Sequence, residues 1–414
     1  MIPAVLREER QFRLLFLGQA LSVIGDRMTA VVLPFAVLSV GGSVTDVGLV
    51  AAAQFVPFAL FGLAGGVLAD RIDRRRILVV SDLIRFACQT IAGVLLVSGH
   101  AEVWHLAVLA AVFGTGDAFF SPAFTGLLPQ TIAEPHFLQP ANALRGMSFS
   151  TGAIVGPVLG GLLIAAFGEG SALLVDAGTF AVSVVCLLAL RPSVVERGDP
   201  ERFLTDLRGG WREVRARRWV WSFLGGMLVY HVIVLPSVFV LGPVLMKEDF
   251  DGATSWAIVV AAFGAGSIVG DVLLLRWRPS RALRAAAAAL IVASTQAVVI
   301  GSGLPVVAIA ALEFVAAVGV SAFFTLWETS LQEHVPEHAI SRVSSYDYVA
   351  SAGVMPLGAL LAGPVSAALG IHETLAAMSA IGVASALALL AVPEVRNLPR
   401  GVAHGRAAPA PAAP

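Results

Sequence analysis

Charge is scarce in this 414-residue sequence, in which 13% of residues are Asp, Glu, Lys or Arg, about half the share usual in a soluble domain. Lysine is all but missing, Lys247 being its one occurrence. A phosphate-cradling loop of the Gly-x-x-x-x-Gly-Lys-Ser/Thr type is therefore excluded, and nucleotide-driven work with it. Cysteine is just as rare. Cys88 and Cys186 fall inside apolar runs, too few and too far apart for a disulfide framework or a metal cluster, and read as packing residues. Neither a His-Glu-x-x-His zinc signature nor a Gly-x-Ser-x-Gly elbow occurs. No enzyme activity, metal or cofactor is expected, and no nucleic-acid partner.

What fills the chain is apolar: 57% hydrophobic residues and a mean hydropathy of +0.84. Runs of roughly 20 apolar residues recur from end to end, each long enough to cross a hydrocarbon core. Lipid offers no partner to backbone polar groups, and the runs lack the alternation of barrel strands, so they are helices. The predicted spans are 14–39, 47–69, 77–98, 103–128, 142–167, 171–190, 219–245, 253–275, 283–302, 305–330, 343–369 and 373–392. The fold class is an all-α integral membrane protein of twelve transmembrane helices in two pseudo-symmetric six-helix bundles. The first span is too long for a signal-peptide core, and the amino terminus is expected to stay uncleaved.

Arginine alternates from side to side. Turns such as 41–46, 99–102 and 301–305 carry no Lys or Arg, whereas Arg71, Arg74, Arg75 and Arg76, the segment Arg191–Arg218, and Arg276, Arg278, Arg281 and Arg284 all fall on the other side. The positive-inside rule then makes both termini cytoplasmic in a multi-pass protein of the cell membrane. The expected organisation is an N-terminal bundle (1–191), a basic cytoplasmic linker forming a surface helix (192–218), a C-terminal bundle (219–393) and a disordered tail (394–414). The halves look duplicated at an offset of about 200 residues, as in many secondary transporters. Gly66 to Arg71 matches Gly270 to Arg276, and Pro135 matches Pro336.

The loop Gly66-Val-Leu-Ala-Asp70-Arg71-Ile-Asp73-Arg74-Arg75-Arg76 resembles the signature between helices two and three of the major facilitator superfamily. Asp73 departs from it, standing where the pattern has glycine. The resemblance implies a gating latch formed by Gly66, Asp70, Arg71, Arg74 and Arg75. In span five, Gly152-Ala-Ile-Val-Gly156-Pro157-Val-Leu-Gly160-Gly161 is similar at every specified position to that superfamily's antiporter motif. Small residues four apart permit close helix contact, and Pro157 removes a backbone hydrogen bond. The segments 119–123, 140–144 and 342–345 further resemble the branch of enterobactin exporters and macrolide efflux proteins, and the likeness covers nearly all of 10–395.

Ionisable residues inside a membrane are costly and face a cavity, a partner or a proton path. Asp26, beside Arg27, is the foremost candidate for a coupling site, lying about 20 Å from the cytoplasmic end of its helix at 1.5 Å per residue. Asp117, among close-packed glycines, and Glu313, alone on an apolar helix, are further candidates for proton or substrate coupling. Asp176 and His231 are also buried in spans, the histidine as a satisfied bundle residue. Asp82 and Arg85 are expected to pair near the cytoplasmic end of span three, a structural role. The expected function is proton-coupled efflux of small amphipathic or hydrophobic compounds by alternating access, by a monomer whose partners are its substrate, protons and the bilayer. The alternatives are a metabolite importer or uniporter and, in another class, a membrane scaffold or lipid scramblase.

Overall fold

In a computed structural model of the chain, residues 3–191 and 211–400 are described; the side chains of 62–71, 135, 337–338, 341–342 and 345 are not. The described residues contain helices and no strand, and twelve helices are long and apolar enough to cross a membrane. They are α1 (Arg10–Ser39), α2 (Val44–Arg71), α3 (Arg74–Val97), α4 (Val103–Leu127), α5 (Leu138–Phe167), α6 (Glu169–Ala189), α7 (Arg218–Asp249), α8 (Ala253–Arg276), α9 (Ala282–Ile300), α10 (Val306–His334), α11 (Tyr346–Leu369) and α12 (Ile371–Ala391).

The packing repeats after six helices. In the first half α1 packs on α5 and α6, α2 on α4, and α3 on α4 and α6; in the second, α7 packs on α11 and α12, α8 on α10, and α9 on α10 and α12. The most extensive contacts between the halves, α2 with α11 and α5 with α8, are related by the repeat. Glycines make both close. A Cβ on Gly48 would overlap the Ala359 carbonyl, one on Gly363 would lie 2.5 Å from Thr45 Cα, and one on Gly264 2.5 Å from the Ala153 carbonyl. The same end of the molecule is tied by Lys247, whose Nζ donates to the Leu38 carbonyl at 2.8 Å.

Three predicted spans are less regular than the hydropathy implied. Within α7, Tyr230–Val234 winds as a π-helical turn just before Pro236. Proline has no N–H, so the Val232 carbonyl loses its helical donor. Gly358 of α11 approaches that carbonyl so closely that a Cβ would overlap it. The expected continuous span 343–369 breaks after Glu337–Ala350 and restarts at Met355, with Pro356 in the new first turn, a position where a proline's missing N–H costs nothing. In α9 the helix is interrupted between Ala293 and Gln296.

Of the expected linker, 192–210 lie outside the described residues, and 211–216 are helical, with Trp211 against Tyr346 at 5.6 Å between ring centres. The head of the expected disordered tail is ordered instead. Pro393–Asn397 form a helix, and Arg400 pairs with Glu333 at 3.0 Å; residues 401–414 lie outside the described residues.

A Gly358→Ala substitution tests the π-turn contact. Overpacking of a tight interface costs about 1–3 kcal/mol, so the thermal unfolding midpoint in detergent should fall, whereas Gly225→Ala, where a Cβ meets nothing within 4 Å, should leave it level or raise it.

Candidate functional site

The site is assembled in the first half by glycines that bring polar side chains within reach. On α1, a Cβ at Gly18 would lie 2.9 Å from Cys186 Cβ, and one at Gly25 would overlap the Asp176 carboxylate. These two glycines let α1 lie against α6, which puts Gln19 and Thr29 beside Ser183 and Asp176. On α4, a Cβ at Gly116 would sit 3.3 Å from the Ser81 carbonyl and 3.5 Å from Arg85 Cγ. That approach brings Asp117 to α3.

Arg85 is the centre. It is 1% exposed and meets three carboxylates: Asp82 on its own helix in direct hydrogen-bonded contact, Asp26 of α1 at 3.3 Å and Asp117 of α4 at 3.6 Å. The rings of Phe120 and Phe180 cover the guanidinium, 4.0 and 4.7 Å from Cζ to their centroids, cation–π contacts that strengthen out of water. Its Nε has no hydrogen-bond acceptor among the described residues. The three carboxylates differ in setting. Asp82 is fully buried and accepts from Ser183 at 2.5 Å, which in turn accepts from Gln19 at 2.7 Å. Asp26 and Asp117 keep 32% and 40% of their side chains exposed.

Beside this cluster, Asp176 of α6 accepts from Gln89 at 2.7 Å and from Thr29 at 3.2 Å, and Gln89 also donates to Thr29 at 3.2 Å. Asp176 is therefore held by neutral donors rather than by a cation.

Asp26 and Asp117 face a cavity of about 320 Å³. Its walls carry Phe16, Phe58, Phe113 and Phe149 among other rings, together with Arg27 and Arg145. The cavity runs from Thr29 down to Phe12 and Leu128, a depth of about 25 Å along α1 at 1.5 Å per residue. An apolar, aromatic volume with a few convergent charges is the usual make-up of a small-molecule site.

The span-five motif packs against α1 alongside this site. Added Cβ atoms on Gly152 and Gly156 would lie 2.9 Å from Val23 Cγ1 and 2.5 Å from Arg27 Cβ, and one on Gly160 3.2 Å from the Met28 carbonyl, so three motif glycines rest on the stretch of α1 that carries Asp26. Gly161 turns to the other half, where its Cβ would be 2.6 Å from Ala257 of α8. Pro157 is buried within α5.

The side chains of Gly66, Asp70 and Arg71 lie outside the described residues. Arg74 donates to the Gly126 carbonyl near the end of α4 at 2.9 Å. Arg75 donates to the Leu187 carbonyl at 2.7 Å and to that of Leu188, where the last turn of α6 leaves its acceptors free. Asp73, the departure from the glycine pattern, caps α3: its carboxylate accepts from the backbone N–H of Arg75 at 2.9 Å and of Arg76 at 3.4 Å.

Glu313 is not part of the cavity wall. It is 1% exposed in the second half, accepts from Gln296 at 3.1 Å through one oxygen and, among the described residues, has no hydrogen-bond partner for the other. Tyr230 donates to Gln296 at 2.5 Å. His231 is buried and bonded to the Met227 carbonyl at 2.9 Å. Among the described residues no group of three or more His, Cys, Asp or Glu is placed to hold a metal.

Asp82 and Arg85 do pair, but not near a helix end. Arg85 is the twelfth residue of α3, about 16 Å in, and its reach to α1 and α4 was not anticipated. The signal was present: Leu78, Asp82, Arg85, Gln89 and Ala92 form one buried stripe at helical spacing, and an arginine inside such a stripe requires partners from other helices.

The Major Facilitator Superfamily profile matches residues 15–358. The chain is 28% identical over 401 residues to the multidrug efflux pump Tap of Mycolicibacterium fortuitum, spanning 93% of this chain and 96% of that protein. It is 23% identical over 269 residues to macrolide efflux protein A of Streptococcus pyogenes, across 64% and 66% of the two. Among solved structures, its fold is similar to that of a bacterial homologue of the human lysosomal transporter Spinster, with a TM-score of 0.65 at 18% identity over 92% and 93% of the chains. It is likewise similar to the nucleoside transporter NupG, at 0.70 and 13% over 92% and 98%.

The charge cluster makes a prediction about stability. Removing one partner of a buried ion pair costs about 3–5 kcal/mol, whereas replacing both by apolar groups is close to neutral. Arg85→Leu should therefore lower the folded yield and the unfolding midpoint sharply, and adding Asp82→Leu should restore a large part; a double variant no better than the single would show that the pair does not carry that burden.

Proposed function

From the premise that the chain belongs to the Major Facilitator Superfamily and is a multi-pass membrane transporter rather than an enzyme, we propose that it exports small amphipathic or hydrophobic compounds in exchange for protons, by alternating access. The observation that carries this reading is one guanidinium shared by three carboxylates, two of them open to the cavity. Arg85 and its three partners hold one positive and three negative formal charges. Asp26 and Asp117 meet the same Nη1 at 3.3 and 3.6 Å, so these oxygens are within about 7 Å of each other, where like charges repel by about 2 kcal/mol or more at an effective dielectric of 20. A proton taken up at Asp26 relieves that repulsion, and so does a cationic group of a substrate entering the cavity. One site then answers to both, which is the requirement for exchange.

In this scheme Asp82 is the fixed partner of Arg85, and Asp26 is the proton site, with Asp117 sharing the load. The rings along the cavity accept apolar substrates of varied shape, in keeping with the multidrug and macrolide efflux named for the relatives. The motif from Gly152 to Gly161 transmits the change, because it packs on the residues flanking Asp26 on one side and on α8 of the other half. The loop from Asp70 to Arg76 is the latch: Arg74 and Arg75 tie the start of α3 to the ends of α4 and α6. Arginine distribution supports cytoplasmic termini, and the cavity then opens inward. One chain supplies the cavity and the contacts between its halves, in keeping with a monomer as the working unit.

Glu313 has one neutral donor and no cation among the described residues, a setting in which a charge would be uncompensated. We assign it an uncharged, structural role. In proteoliposomes, an imposed pH gradient should accelerate movement of a lipophilic dye such as ethidium by the native protein. Asp26→Asn should reduce that acceleration to the level of protein-free vesicles, and Glu313→Gln should keep it. Loss in Glu313→Gln with retention in Asp26→Asn would reverse the assignment.

A further inference from the structure

Outside the transport cavity, a groove of about 820 Å³ runs between α9 and α10. Its walls are small and apolar, among them Ala285, Ala288, Val315 and Ala322, and its mouth holds Arg281 and Arg284. The floor is formed where the two backbones meet: a Cβ on Gly319 would lie 2.9 Å from the Ala289 carbonyl. Val315 and Val292, 53% and 37% exposed, place the groove on the outer face of the bundle, where acyl chains pack.

The mouth is strongly cationic. Arg276, Arg278, Arg281 and Arg284 fall within nine residues, and no Asp or Glu occurs between Asp271 and Glu313. Neither Arg281 nor Arg284 has an ion-pair or hydrogen-bond partner for its side chain among the described residues. The nearby Glu333 is engaged by Arg400, whose own backbone N–H is bound to the Ser280 carbonyl at 3.0 Å. Trp277 is 53% exposed at the same level, as indole rings are at the headgroup boundary. Among the described residues, then, no carboxylate is paired with Arg281 or Arg284.

We propose that this groove is a binding site for an anionic glycerophospholipid, with the phosphate between Arg281 and Arg284 and one acyl chain running along Ala285, Ala288 and Val292 against Val315 and Ala322. Two features commit the occupant: the charge at the mouth selects an anion, and the apolar channel continuing from it for about 10 Å, seven residues along α9, selects one bearing a chain. Free phosphate satisfies only the first. A zwitterionic lipid satisfies mainly the second.

The test is lipid binding to the purified full-length protein in detergent, read by native mass spectrometry and by the unfolding midpoint. Phosphatidylglycerol should bind and raise the midpoint more than phosphatidylcholine at equal concentration, and inorganic phosphate should do neither. Arg281→Ala/Arg284→Ala should weaken phosphatidylglycerol about 30-fold, since a basic residue at an anionic surface contributes about fivefold. Ala288→Trp fills the channel from an exposed position, leaves both arginines in place, and should abolish the preference as well. Equal binding of both lipids, an equal effect of inorganic phosphate, or native binding in both variants would each overturn the assignment.

Discussion

A guanidinium cannot sit in the middle of a hydrocarbon-embedded bundle without counter-charges, and in the first half of this protein that requirement organises four helices. Arg85 draws Asp26 from α1 and Asp117 from α4 to itself, and Asp82 links it through Ser183 to α6. The aromatic rings over the guanidinium exclude water from one face, so electrostatic interactions there act at low dielectric. Three carboxylates around one cation leave the cluster itself with an excess of negative charge; Asp82 is enclosed, while Asp26 and Asp117 share the cavity wall with Arg27 and Arg145.

Glycine serves this arrangement twice. Within the first half, Gly18, Gly25 and Gly116 reduce helix separation until short polar side chains can meet. Between the halves, Gly48, Gly264 and Gly363 do the same for backbones. Interfaces built on small residues have no long side chains to disengage, which suits the proposed reorientation of the halves around a fixed site. The span-five motif joins the two uses, with Gly156 packed behind the helical turn of Asp26 and Gly161 against Ala257 of α8.

Much of this was legible in the sequence, for definite reasons. Span count follows from hydropathy, because lipid enforces helicity on every long apolar run. The span-five motif was readable because small residues four apart mean close packing wherever they occur in a membrane helix. The breaks at Ala350–Met355 and within α9 were not readable from hydropathy, which is blind to hydrogen bonding; Pro356 was the local sign of the first. Asp26 and Asp117 were found from the cost of burying charge. Their shared partner was not, since Arg85 lies 59 residues from Asp26 in sequence and its local neighbour Asp82 offered a sufficient explanation. Glu313 met the same burial criterion, yet the helices around it bring an amide and a phenol rather than a cation. Burial identifies the group, and only the neighbours from other helices decide its role.

Asp26, within the cluster around Arg85, is proposed to hold an exchangeable proton. Infrared difference spectroscopy of the purified protein measures it directly and needs no substrate, because a protonated carboxyl has its own stretching band. The expected result is a band that grows as the pH is lowered in the native protein and loses a component in Asp26→Asn but not in Glu313→Gln. An identical titrating band in native protein and Asp26→Asn would contradict it.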